Sequence, residues 1–134
     1  MKYVYPVVFT RDEDGSYMAA APDLPGLVTC GRTLTEAVDM AQDACEMWLA
    51  DAEKKKEELP KPSDAQSMAR EDGQTVALVL ADTDAYRRRT DSHAVKKTLT
   101  IPAWMAYQAE EAGLGLSQLL QEAIRKKLNL PEQV

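Results

Sequence analysis

Short apolar runs separated by turn-forming residues fill the first thirty positions, and this pattern predicts three short strands. Residues 3–10 predict a strand whose two faces are both largely apolar. The sequence Asp-Glu-Asp-Gly at 12–15 is a turn signal, so residues 16–21 predict the second strand of a hairpin. A short extended run at 27–30 lies between proline and glycine residues and predicts the third strand.

A long amphipathic helix is predicted next. Thr33 and Glu36 have the spacing of a capping box, in which side chains satisfy the free amides at a helix start. Apolar residues then recur at three- and four-residue steps from Leu34 to Ala52. The charged run that follows predicts a solvated helix end, and Pro60 is expected to stop the helix.

The fourth strand is predicted over residues 75–80. Nearly all of these residues are apolar, which favours a position buried on both faces of a sheet. The order β-β-β-α-β predicts a small α+β front domain over residues 1–86. Residues 87–94 begin with three arginines and lack periodicity, so they predict a linker.

The rear part, residues 95–134, predicts one strand followed by two helices. Residues 96–101 alternate between polar and apolar side chains, which predicts a strand around 95–101 with one apolar face. Pro102 suits the first position of a helix, and the glycines within 113–115 separate that helix from a second one.

The predicted elements of the rear part are too short to build a core alone. A single strand also leaves its backbone groups unpaired, so the simplest partner for it is a second copy, paired antiparallel. We therefore expect this part to fold as a homodimer of two strands and four helices. The expected dimer core contains Leu99, Ile101, Trp104, Leu119, Leu120 and Ile124.

The polar face of such a paired ribbon fits the major groove of DNA. Lys96, Thr98 and Thr100 are expected to contact base edges, and Lys97 a phosphate or the dimer edge. The alternative is an ordinary edge strand, whose lysines only discourage aggregation. Free amides near Ser117, at the start of the second helix, could hold a phosphate, although the Ser117 hydroxyl could equally serve as a helix cap.

The charge of the chain limits where nucleic acid could bind. The 134 residues carry a net charge of −6, which argues against a general nucleic-acid coat. Residues 1–90 hold 11 basic and 17 acidic side chains, whereas residues 91–134 hold five of each. DNA binding is therefore expected to be local to the ribbon, and the acidic front part is better suited to a basic protein partner.

Other function classes receive little support from the composition. No apolar stretch approaches the roughly 20 residues of a membrane span, and the first residues lack a signal pattern, so a cytoplasmic protein is expected. Cys30 and Cys45 are too few for a disulfide framework and are expected to be reduced core thiols. His93 is the only histidine and lies in the predicted linker, so an acid-base site is unsupported. No cofactor, metal site or catalytic residue is expected.

A metal-dependent nuclease is the main alternative, because several carboxylates of the front domain could hold Mg²⁺. They lie in a predicted turn or after a strand end, where solvated acids are common. A DNA-binding regulator with a small-ligand front domain is a third possibility. The candidate carboxylates are Asp12, Glu13, Asp14, Asp23, Asp82 and Asp84.

Two sets of motifs resemble one protein family over nearly the full chain. The front set is Tyr5-Pro6-Val7, Asp14-Gly15-Ser16-Tyr17, Pro22-Asp23-Leu24-Pro25-Gly26 and Thr29-x-Gly31-x-Thr33-x-x-Glu36-Ala37. The rear set is Lys96-Lys97-Thr98-Leu99-Thr100-Ile101-Pro102 and Ser117-Gln118-Leu119-Leu120-Gln121-Glu122-Ala123. The front resembles HicB antitoxins of bacterial toxin-antitoxin pairs, and the rear resembles a ribbon-helix-helix repressor.

The resemblance implies a division of labour between the two parts. The front domain would have a partial ribonuclease-H-like fold without that fold's catalytic acids, and would cover the active surface of HicA, a small basic mRNA-cleaving toxin. Tyr3, Tyr17 and the acids of the long helix are candidates for that contact. The rear domain would dimerise, with tetramers as a further possibility, and would bind operator DNA to repress its own operon.

Overall fold

The structure is a computed structural model that describes residues 1–68 and 70–131. These residues divide into a front unit, Met1–His93, and a rear unit that begins at Ala94. The described residues contain one four-stranded antiparallel sheet and four α-helices, so the fold is α+β as the sequence predicts.

All four strands belong to the front unit. They are β1 (Lys2–Arg11), β2 (Tyr17–Ala20), β3 (Val28–Gly31) and β4 (Gln74–Asp82), in the order β3-β2-β1-β4. The predicted hairpin is confirmed: β1 pairs with β2, and the turn between them has Gly15 in the left-handed region at φ +86°. The Ser16 hydroxyl donates a 2.6 Å hydrogen bond to Asp14 and stabilises this turn.

The core of the front unit lies between the sheet and α1 (Leu34–Lys54). Alternate residues of β1, including Tyr5, Val7 and Phe9, are buried against this helix. The predicted cap is confirmed, since the Glu36 amide donates to the Thr33 hydroxyl over 3.1 Å. β3 approaches the helix so closely that a Cβ on Gly31 would lie 2.3 Å from the Ala37 nitrogen.

The end of α1 differs from the expectation that a proline stops it. The helix ends at Lys54, and Lys56 takes the left-handed conformation at φ +58°. The Glu57 amide then donates to the Ala52 carbonyl over 3.0 Å, which closes the helix with a Schellman motif. Pro60 has another contact, because its carbonyl accepts a hydrogen bond from the buried Tyr5 hydroxyl.

β4 is an edge strand, so the prediction that it is buried on both faces is wrong. Val79 and Ala81 face the core, whereas Leu78 and Leu80 are 64% and 48% exposed. An all-apolar strand favours burial of both faces, but α1 covers only one face of this sheet.

The predicted linker 87–94 begins inside a helix, α2 (Thr83–Thr90). Asp82 caps this helix by accepting from the amides of Asp84 and Ala85. Two arginines of α2 are ion-paired to α1: Arg87 with Glu53, and Arg89 with Asp43 and Glu46. These pairs join residues more than thirty positions apart, so local periodicity gave no sign of them.

Glu53 connects β1, α1 and α2 through one carboxylate. It accepts from the Tyr3 hydroxyl over 2.7 Å, from the Thr83 hydroxyl over 2.9 Å, and from Arg87. Burial alone would raise the pKa of Glu53, but the hydrogen bonds from Tyr3, Arg87 and Thr83 hold it below its ordinary value. The bond to Glu53, with burial, raises the pKa of Tyr3 to about 12.

The rear unit contains α3 (Ala103–Glu111) and α4 (Leu116–Lys127), which confirms the two predicted helices. Gly113, at φ +66°, ends α3, and the Leu114 amide donates to the Ala109 carbonyl over 3.0 Å. The strand predicted over 95–101 is not formed within the single chain, where residues 91–102 lie outside helix and strand. A strand requires a hydrogen-bonded neighbour, and all four described strands belong to the front unit.

The Glu53→Gln variant should lower the free energy of unfolding at pH 7 by about 1 to 2 kcal/mol, because a charged acceptor becomes neutral. Since the folded-state pKa of Glu53 is lowered, its contribution is present above its unfolded pKa of about 4.3 and is lost as the pH falls further. Chemical denaturation from pH 7 to pH 3 should show the two proteins converging in acid. Asp51→Asn is the control, because Asp51 forms only an exposed pair with Lys55 on the same helix and should cost under about 0.5 kcal/mol. An equal loss in both variants at pH 7 would contradict the role of Glu53.

Candidate interaction surfaces

In its described part the rear unit exposes thirteen large apolar side chains, and we call this set the apolar rear face. In the described part of this unit Ala109 is the only buried apolar residue. All six residues expected in a dimer core are exposed in the single chain, from Leu120 at 38% to Leu99 at 62%. The face consists of Val95, Leu99, Ile101, Trp104, Met105, Tyr107, Leu114, Leu116, Leu119, Leu120, Ile124, Leu128 and Leu130.

On α4 the members of this face follow helical spacing. Leu116, Leu119, Leu120 and Ile124 stand at three- and four-residue steps and form one stripe along the helix. Such a stripe normally packs against another element. The described part of the rear unit leaves it in contact with solvent, so the unit presents a surface built to be covered.

The residues expected to bind DNA are also exposed. Lys96, Lys97, Thr98 and Thr100 lie in the unpaired segment before α3, and no ion pair holds either lysine to another described residue. Between His93 and Glu110 the chain has two lysines and no carboxylate. The structure thus supplies a locally cationic segment, without the strand pairing that would order it.

Ser117 does not cap α4. Gly115 is the N-cap residue, and no side chain bonds to the amides of the first turn. Ser117 lies two positions inside the helix and is exposed. The sequence left two roles open for the start of α4, a capping Ser117 hydroxyl or a phosphate held by free amides. The structure does not show the cap, so the first amides of α4 remain available to a ligand.

A second surface lies on the front unit, where α1 passes beside β4. A groove of about 680 Å³ there is lined by Asp39, Asp43, Glu46 and Asp82 together with Lys2 and Arg89. A neighbouring groove of about 490 Å³ is more apolar and is lined by Leu34, Val38 and Ala77. Asp39 and Asp43 are the exposed acids of α1 in the first groove, and Tyr17 also lines the apolar groove. The candidate Tyr3 is instead bonded to Glu53 within the front unit.

The carboxylates proposed for a nuclease have separate structural contacts. Asp14 accepts from Ser16 in the hairpin turn, Asp23 accepts from Ser63, Asp82 caps α2, and Asp84 pairs with Arg87. Within residues 1–68 and 70–131, no three carboxylate, histidine or cysteine side chains are grouped to hold a metal ion. The described residues therefore contain no cluster of carboxylates that could serve as the metal site of a nuclease.

The two cysteines differ from the expectation that both are core thiols. Both are free, but Cys30 is exposed on β3, whereas Cys45 lies on the buried face of α1. Burial, and then the nearby charge of Glu46, raises the pKa of the Cys45 thiol to about 11, which keeps it protonated at neutral pH.

In the described part of the chain, no helix is both long and apolar enough to span a membrane.

Comparisons with known proteins place this fold among bacterial antitoxins. One chain of the toxin-antitoxin complex from Streptococcus pneumoniae is 30% identical, with a TM-score of 0.61, over 95% of this chain and 99% of that one. The Burkholderia pseudomallei antitoxin HicB shares the fold at 19% identity and a TM-score of 0.53, over 94% of this chain and 98% of its own.

Curated sequences give two further relatives. A 14.9 kDa protein of Haemophilus phage HP1 is 26% identical over 109 residues, which are 81% of this chain and 80% of that protein. A UPF0150 protein of Thermoplasma acidophilum is 37% identical over 57 residues, which are 42% of this chain and 83% of its own length. The model of the HicB-like antitoxins of bacterial toxin-antitoxin systems matches residues 5–130, and the chain belongs to that family.

Proposed function

We propose that this chain is a cytoplasmic antitoxin that binds a HicA-type toxin through its front unit and, as a dimer, binds operator DNA through its rear unit. The family is one of antitoxins and not of enzymes, so the chain acts by covering its partner. In this proposal the front unit is a partial ribonuclease-H-like domain, and the rear unit is a ribbon-helix-helix domain that represses its own operon.

The observation that carries the proposal is the exposure of the apolar rear face. A unit of about forty residues is near the limit below which a chain needs a partner to form a core. In the part of this unit that the structure describes, thirteen large apolar side chains are exposed and a single alanine is buried. Burying a large aliphatic side chain contributes about 1.5 to 3 kcal/mol, so a second copy supplies the core that one copy lacks.

A second copy also explains the unpaired segment before α3. Paired antiparallel about a two-fold axis, two such segments would satisfy each other's backbone groups and place Leu99 and Ile101 against the four helices. Lys96, Thr98 and Thr100 would then share the outer face. Hydroxyl and amine groups on a two-stranded ribbon match the donor and acceptor pattern of the major groove.

The front unit suits a basic protein partner. Residues 1–90 carry 17 acidic and 11 basic side chains, and Asp39 and Asp43 beside β4 are exposed. The match to a toxin-antitoxin complex over nearly the whole chain, at 30% identity, supports a toxin as that partner. Complementary charge would speed the encounter and orient the two proteins.

The dimer is tested by Leu120→Glu, which puts a charge into the expected core. For the unaltered protein, sedimentation equilibrium should give a mass of at least twice the 14.8 kDa of one chain, and a tetramer would be recognised by its larger mass. For the variant it should give the mass of one chain. Gln121→Glu adds the same charge at the next, exposed polar position and should leave the mass unchanged. A monomeric unaltered protein at micromolar concentration would refute the dimer.

DNA recognition is tested by Thr98→Ala combined with Thr100→Ala. If these hydroxyls contact base edges, the loss is about 1 to 3 kcal/mol per contact, so operator affinity should fall at least tenfold. Binding to DNA of unrelated sequence should change little, because phosphate contacts remain. Fluorescence anisotropy with DNA from upstream of the gene is the measurement, and Thr35→Ala in the front unit is the control. Equal loss on both DNAs would assign the threonines to folding instead of base contact.

Toxin neutralisation is tested by co-expression with the protein encoded next to this gene. We expect that protein to arrest growth alone, and to be tolerated and co-purified when the full chain is present. The nuclease alternative is examined with the same preparation: purified chain, Mg²⁺ and labelled RNA should give no cleavage. Cleavage by the chain that is lost on changing Asp12 or Asp82 to Asn would overturn the antitoxin assignment.

A further inference from the structure

The hydrogen bonds of β4 show which of its residues direct their backbone N–H and C=O groups toward the outer edge of the sheet. Beyond the two ends of the β1–β4 ladder, the Thr83 amide donates to the Met1 carbonyl and the Arg11 amide donates to the Gly73 carbonyl. Odd-numbered residues of β4 therefore turn their backbone groups toward β1. Because residues alternate along an antiparallel pair, the even-numbered residues turn theirs outward.

Side chains of α1 occupy one end of this outer edge. Gln42 donates to the Leu80 carbonyl over 2.9 Å, and Glu46 accepts from the Asp82 amide over 3.2 Å. Both contacts agree with the outward direction of even-numbered residues. They protect the edge from pairing at these two positions.

The middle of the edge has no such cover. The outward groups of Val76 and Leu78 receive no hydrogen bond from any described part of the chain outside the sheet. The 3-10 turn Ala65–Ser67 lies near β4 but makes no backbone hydrogen bond to it. We call the outward amides and carbonyls of these two residues the open β4 edge.

The surroundings of the open β4 edge combine apolar and acidic side chains. Leu34 and Val38 of α1 are exposed in the apolar groove that also touches Thr75 and Ala77 of β4. Asp39 and Asp43 are exposed in the acidic groove beside Leu80. A peptide segment that pairs with this edge would therefore contact apolar side chains at one end and lie near carboxylates at the other.

We infer that the toxin partner adds an extended segment to the open β4 edge, with a lysine or arginine side chain at Asp39 and an apolar side chain at Leu34 and Val38. This inference rests on the proposed function and names the site of the contact. Strand addition supplies affinity through main-chain hydrogen bonds, and the flanking side chains supply selectivity.

The charge on this flank favours a basic partner over a second copy of the chain. Two β4 strands paired about a two-fold axis would form one continuous sheet with both α1 helices on the same side. That pairing would bring together two front parts that each hold 17 acidic and 11 basic side chains within residues 1–90, and like net charge disfavours it. A segment with basic side chains meets no such repulsion.

Amide hydrogen exchange on the full chain, alone and with the co-purified partner, measures this contact directly. In the free chain the Val76 and Leu78 amides should exchange fast while Ala77 and Val79, which face β1, exchange slowly. Partner binding should slow Val76 and Leu78 at least tenfold. Val28 is the matched control: the Ala21 amide bonds to the Leu27 carbonyl, so the Val28 amide points outward at the opposite edge of the sheet and should stay fast.

Leu78→Pro gives an independent test, because it removes an outward donor that the described chain does not use. Proline is tolerated in edge strands where the amide faces solvent, so the melting temperature should change little. Partner affinity should fall at least tenfold, whereas Leu78→Ala, which keeps the amide, should bind within about threefold of the unaltered chain. If Leu78→Pro does not fold, the exchange experiment decides alone.

The outcomes separate this inference from the function it rests on. Tight binding with Val76 and Leu78 still exchanging fast would overturn the edge contact and leave the antitoxin assignment intact. Failure of the neighbouring protein to bind at all would refute the proposed function. Protection of these amides in the chain alone, growing with concentration, would assign the edge to a second copy and would also overturn the inference.

Discussion

Unburied apolar surface in the rear unit is the constraint on which this account depends. The front unit closes a core around Tyr5, Val7 and Leu49, whereas the rear unit, as far as residue 131, buries one alanine. The difference follows from geometry: a sheet and a long helix can cover each other within one chain, but two short helices and an isolated segment cannot. In the proposed dimer the rear unit would gain its stability from association, which would link folding to assembly.

The front unit is organised around α1, which stabilises the fold and, in our proposal, contacts the toxin. Its inner face packs on the sheet, while Glu46 and Glu53 fix α2 through Arg89 and Arg87. The same helix presents Asp39 and Asp43 to solvent beside an edge strand. Glu46 and Glu53 are satisfied internally, and Asp43 shares Arg89 with Glu46, whereas Asp39 makes no ion pair with another described residue. The carboxylates that hold the fold therefore differ from the one that we propose meets a basic partner.

Much of the fold was predictable from local pattern, because the relevant signals lie within a few residues. The apolar run at residues 3–10, followed by a turn signal, predicted β1. The spacing of Thr33 and Glu36 predicted the start of α1. The place of β4 in the sheet was not predictable, since apolar content does not say how many faces are covered. The helical state of Arg87 to Arg89 was also missed, because it depends on carboxylates of α1 more than thirty residues away. The residues expected on the ribbon and in the dimer core are exposed in the single chain. The roles proposed for them in DNA binding and dimerisation require a second chain.

The central claim is that residues 96–101 of two chains pair antiparallel. The most direct measurement is an isotope-filtered nuclear Overhauser experiment on a mixture of labelled and unlabelled full-length chains. The account predicts contacts between chains across this segment, with Leu99 and Ile101 side chains close to α4 residues of the other copy. Contacts confined to one chain, or a segment that stays unpaired at concentrations where the protein is associated, would contradict it.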